Sequence, residues 1–133
     1  MKAKSIKGKS TEEIQSGLRE SMADGFKPTI AIVFISVKQD REAISGLLEE
    51  KGIQIFGATT AGEFIDGEME GGSIVMLLLD MNPAYFKLEF LETSQDTAFE
   101  DAIKHGNTGK ETFTNPAFII ANSGVTLDGE PFV

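Results

Sequence analysis

With 133 residues the chain has room for one hydrophobic core, since ordinary domains run to roughly 100–200 residues, and its 41% apolar and 25% charged composition is that of a folding chain rather than a disordered one. Twelve cationic residues against twenty-one acidic ones leave a net charge of −9, and Lys2, Lys4, Lys7 and Lys9 all fall in the first nine residues, so the body is strongly anionic. A surface of that sign repels phosphate backbones and anionic lipid heads, which argues against nucleic acid and membrane surfaces as partners.

The basic start is not a secretory leader, because Lys7, Gly8, Lys9, Ser10 and Glu12 stand where an apolar stretch of roughly 7–15 residues would be needed. Residues 10–24 read as a helix: Ser10 and Glu13 form a capping box, and Ile14, Leu18 and Met22 recur on one stripe. Residues 29–36 hold an unbroken apolar run from Ile30 to Ile35, as expected of a strand buried on both faces. Asp40 then caps a second helix through Lys51, with Ala43, Ile44, Leu47 and Leu48 facing inward and Gly52 as its stop. Residues 53–59 supply the strand that completes a parallel βαβ unit.

Beyond it, Gly62, Gly67, Gly71 and Gly72 punctuate an acidic loop carrying Glu63, Asp66, Glu68 and Glu70. Residues 73–80 and 84–91 follow as two strands joined at Met81, Asn82 and Pro83, a connection short enough to imply an antiparallel hairpin. Residues 94–105 read as a third helix stopped by Gly106, and residues 117–121 as a third central parallel strand. The expected fold is a single α/β domain over residues 1–133, with a mixed sheet, central parallel βαβ strands, an antiparallel hairpin and flanking helices. No helix remains to cover the strand at Phe118, Ile119 and Ile120, so the chain is expected to be part of a longer protein.

The longest apolar runs, residues 30–35 and 74–79, have six residues each, far below the roughly 20 needed to span a bilayer. The chain has no cysteine, hence neither a disulfide nor a thiolate metal site, which fits a cytoplasmic location.

The most distinctive stretch is residues 55–64, Ile-Phe-Gly-Ala-Thr-Thr-Ala-Gly-Glu-Phe. Gly57 and Gly62 have the spacing of a phosphate-binding loop, but Glu63 and Phe64 stand where that loop needs a lysine and a magnesium-binding hydroxyl. The reversed charge excludes nucleotide binding by that means. In open α/β sheets ligands bind at the carboxyl ends of the parallel strands. Here those ends carry Ser36, then Thr59, Thr60, Gly62 and Glu63, then Asn122 and Ser123. Short hydroxyl and amide side chains there can orient a small polar molecule.

Residues 56–64, preceded by a strand-helix-strand unit and followed by an acidic glycine-bearing loop and a strand, resemble the N-terminal domain of the FIST family (F-box and intracellular signal transduction). The resemblance covers roughly residues 27–123, and its one sharp motif is the core of Gly57, Ala58, Thr59, Thr60, Ala61, Gly62 and Glu63. It implies a bacterial sensory domain that works beside kinase, chemotaxis-receptor or cyclic-dinucleotide output modules and a companion C-terminal domain, and that binds small ligands such as amino acids.

A catalytic role finds little in the residues. The only histidine, His105, precedes Gly106 and is expected to complement a helix dipole rather than to act as a base. Asp66, Glu68 and Glu70 lack the loop pattern of a calcium hand, so neither metal nor cofactor is expected, and no enzyme activity. The expected ligand carries an amine, because Glu63 is the one strong charge of the Thr59 to Glu63 loop and favours a cation, while Ser36, Thr59, Thr60, Asn122 and Ser123 take the polar remainder. The rival expectation is a non-catalytic interaction module that docks another domain or a second copy of the chain.

Overall fold

The computed structural model describes residues 1–65 and 68–122, with side chains for all of these except residues 63–65 and 68–70. It divides into two units, Met1–Lys87 and Leu88–Val133. The first holds a four-stranded mixed sheet, ordered β1-β6-β2-β3, in which β2 (Ile30–Ser36) and β3 (Gln54–Thr60) are parallel and β6 (Ile74–Asp80) runs antiparallel to both β2 and β1 (Lys2–Gly8). Helices α1 (Thr11–Met22) and α2 (Arg41–Glu49) pack on one face of this sheet.

Both helices begin where the sequence signals them. The Ser10 hydroxyl accepts the Glu13 N–H at 3.3 Å, and the Glu13 carboxylate turns back to accept the Lys9 N–H at 2.8 Å. The reciprocal arm of the capping box therefore reaches one residue further than the usual pattern. The Asp40 carboxylate accepts the Ala43 N–H at 3.0 Å to start α2. That helix ends in the paired bonds of a Schellman motif, from the Gly52 N–H to the Glu49 carbonyl and from the Ile53 N–H to the Leu48 carbonyl.

The core lies between sheet and helices. Ile14 and Leu18 of α1 and Ile44, Leu47 and Leu48 of α2 meet Ala31, Val33 and Ile35 of β2 and Ile74, Met76 and Leu78 of β6. Burying each large aliphatic side chain contributes about 1.5–3 kcal/mol. The alternate residues of the same strands face the other way, and there Phe34 and Leu77 are 39% and 37% exposed. The expectation of a strand buried on both faces therefore holds for most of β2 but not for Phe34. Thr29 locks the start of β2 to the end of β6, donating its hydroxyl to the Met81 carbonyl at 2.5 Å and accepting the Met81 N–H at 3.1 Å.

Several elements differ from the sequence reading. Residues 2–8 form β1, an edge strand that the lysines disguise: only Ile6 and Gly8 are buried, and Lys4 bridges to Asp24 at 2.9 Å. The acidic glycine-bearing segment contributes β4 (Glu63–Ile65) and β5 (Glu68–Glu70), an antiparallel pair. After β6 the chain enters a 3₁₀ turn at Pro83–Tyr85, and residues 86–91 are not a strand. Antiparallel pairing is thus supplied by β4 with β5 and by β6, not by a hairpin over residues 73–91. Pro83 at the head of the 3₁₀ turn, with the Asn82 side chain accepting the Ala84 N–H at 3.0 Å, directs the chain out of the hairpin geometry.

The second unit is built on α3 (Ala98–Thr112). This helix runs through Gly106 instead of stopping there, and Gly109 receives the ring of Phe118, where a side chain would collide with it. Residues 117–121 form no strand; Phe118, Ile119 and Ile120 are each more than half exposed. Ahead of the helix, the Thr93 hydroxyl donates to the Asp101 carboxylate at 2.6 Å and holds its pKa below the ordinary aspartate range, with Thr97 assisting.

Candidate functional site

The carboxyl ends of β2 and β3 lie side by side, Ile35 opposite Thr59 and Ser36 opposite Thr60. Because successive strand residues point to opposite faces, this register separates the two threonines. Thr60 and Ser36 share the face away from the helices, and Thr59 shares the helix-covered face with Ile35. Ser36 is 5% exposed; its N–H donates to the Ser73 carbonyl at 3.0 Å, and its hydroxyl accepts the Lys38 N–H at 3.4 Å. Gly62 is exposed just ahead of β4, whose backbone passes close to β2 and β6. Glu63 opens β4 and stands in register with Glu70, so two acidic residues occupy one position of that pair.

Of the residues expected at a ligand site, the structure therefore brings Ser36 and Thr60 together with the Gly62 and Glu63 backbone following directly. Thr59 falls on the other side of the sheet. Asn122 belongs to the second unit, where it is exposed, and Ser123 lies outside the described residues.

Thr59 instead borders a groove of about 160 Å³ between α2 and β3. Val33, Ile35, Ile44 and Ile55 form its apolar lining, and Arg41, Ser45 and Thr59 carry its polar groups. Gly57 lies between Ile55 and Thr59 on the same face of β3, and a Cβ there would strike the carbonyl oxygen of Val33. Arg41 escapes a motif search centred on the glycine-rich segment; its signal is its place as the first residue of the helix that follows the carboxyl end of β2.

In the second unit the Glu89 carboxylate meets His105 Nδ1 at 2.7 Å, both side chains being 30% exposed. Since α3 continues seven residues beyond it to Thr112, His105 does not cap a helix end. Its partner is a carboxylate from the irregular segment before the helix, which a reading confined to local sequence misses.

Among the described residues no helix is long and apolar enough to cross a membrane. Comparison with curated proteins and with solved structures finds no match. The family model described as FIST N domain matches residues 29–133, which takes in β2, α2, β3 and the glycine-rich segment after it. FIST domains are associated with sensing in signal transduction and are not a known enzyme family. By this match the chain belongs to the FIST family, as its N domain.

Proposed function

We propose that the chain is a small-ligand-binding sensory domain of intracellular signalling, cytoplasmic, non-catalytic and coupled to an output domain or a FIST C-terminal domain, with an amino acid or small amine as its ligand. The observation that carries this reading is the parallel register of β2 and β3, which sets Ser36 beside Thr60 immediately before Gly62 and Glu63. Ligands of α/β sheets gather at such strand ends. Glu63 and Glu70 stand in register in β4 and β5, and a position with two acidic residues suits a ligand ammonium. Calorimetric titration against amino acids, polyamines, nucleotides and sugar phosphates tests it. Amine-bearing ligands bind and Glu63→Gln weakens them by about 1–3 kcal/mol, as for a lost charged hydrogen bond; binding of the anions alone contradicts the assignment.

A second reading, a protein-interaction domain, draws on the partly exposed Phe34 and Leu77 and on β3, which among the described residues is an edge strand and carries no charged residue. Unpaired strand edges of this kind accept further strands. Sedimentation at increasing concentration distinguishes the two: a monomer throughout speaks against self-association.

A further inference from the structure

On the face of β3 that meets α2, the side chains in order are Ile55, none at Gly57, and Thr59. Gly57 forms part of the groove wall, together with Val33 and Ile35 of β2. A Cβ at Gly57 would run into the Val33 carbonyl, so β3 can place no side chain there without moving the strand. Across the groove stands α2, where Arg41, Ile44 and Ser45 share one side of the helix by their i, i+3 and i+4 spacing. Ile44 is buried, leaving the guanidinium of Arg41 and the hydroxyl of Ser45 as the groove's polar groups on that side.

The Arg41 guanidinium forms no hydrogen bond or ion pair with any described residue. That is unexpected in a chain with twenty-one acidic residues; the other arginine, Arg19, donates to Ser16. A guanidinium presents a planar fork of donors that matches a carboxylate in two parallel bonds. The adjoining lining is aliphatic and holds no negative charge. Cavities of about 150 Å³ accommodate a benzene-sized group, and the groove here measures about 160 Å³.

We propose that the groove between α2 and β3 binds a small apolar monocarboxylate, its carboxylate held by Arg41 with Ser45 and Thr59, and its hydrocarbon part lying against Val33, Ile35, Ile44 and Ile55. A monoanion is favoured over a phosphate because a single cation faces an apolar lining in a strongly anionic chain. The ligand needs no amine. The inference rests on the sensory reading for its biological sense, yet it uses a different face of the sheet from Ser36 and Thr60, and so can fail separately.

The test is a titration of the full isotope-labelled chain with isovalerate, methyl isovalerate and isoamylamine, followed by amide shifts. Isovalerate alone produces saturable shifts at Ile44, Ser45, Gly57 and Thr59. Arg41→Met weakens it by about tenfold or more, as expected for a lost charged bidentate contact, and Ser45→Leu, which crowds the groove, weakens it as well. Arg41 is exposed and unbonded, so Arg41→Met folds as the parent chain does. Equal binding of the ester or the amine, or an unchanged affinity in Arg41→Met or in Ser45→Leu, overturns the proposal. Loss of isovalerate binding in Glu63→Gln but not in Arg41→Met moves the carboxylate to the glycine-rich segment, which sinks this inference and leaves the other site standing.

Discussion

Gly57 shows how much one missing side chain decides. Its Cβ position is occupied by the β2 backbone, with the Val33 carbonyl in the way, so Gly57→Ala must push the two parallel strands apart. We expect a loss of stability of about 1–3 kcal/mol, the usual cost of overpacking, read as a lower urea midpoint. A second residue-scale prediction concerns Asp24. The Lys4 ammonium bonded to it, and after that the Phe26 N–H, hold its carboxyl below the ordinary aspartate range. A group depressed in the folded state contributes stability above its unfolded pKa, about 3.9 for aspartate, and that contribution fades as pH falls through the lower folded value. Lys4→Met therefore raises the Asp24 pKa toward its ordinary value and weakens the pH dependence of stability below about pH 4. Carboxyl-carbon titration by NMR checks it; an unchanged Asp24 pKa in the variant contradicts it.

At the scale of elements, α1, β2, α2, β3 and β6 are legible in the sequence because each combines a periodic apolar pattern with local stop signals such as Ser10, Asp40 and Gly52. What was not legible depends on distant partners. β1 has one inward aliphatic residue, Ile6, and becomes a strand only because β6 pairs with all seven of its residues. Residues 84–91 alternate like a strand, but alternation alone supplies no partner, and Pro83 turns the chain aside. The candidate site was readable as a glycine-rich segment at a strand end. The split of Thr59 from Thr60 follows from register, and the bond between His105 and Glu89 joins residues sixteen apart; neither is written in local pattern. A double-mutant cycle with His105→Gln and Glu89→Gln is expected to give a coupling of about 0.2–1 kcal/mol, as for half-exposed pairs, and zero coupling contradicts the contact.

For the molecule as a whole, the packed core lies in the first unit, and the stability of that unit follows from it. Leu18 is fully buried between α1 and the sheet, and Leu18→Ala should cost about 2–5 kcal/mol in chemical denaturation. Substitution of the exposed Ile119 by Ala should change the same transition by less than about 0.5 kcal/mol. β2 is fastened to β6 at one end by the Thr29 bonds to Met81 and at the other by the Ser36 bond to Ser73, and the Thr29 carbonyl also accepts the Gln54 N–H of β3, which gives a firm base for a ligand site at the carboxyl ends. That site is the central claim, and amide-shift mapping of the labelled chain during titration with amino acids tests it most directly. The account predicts saturable shifts centred on Ser36, Thr60, Gly62 and Glu63 and lost in Glu63→Gln; shifts that never saturate for any amine-bearing ligand, or that persist unchanged in Glu63→Gln, would contradict it.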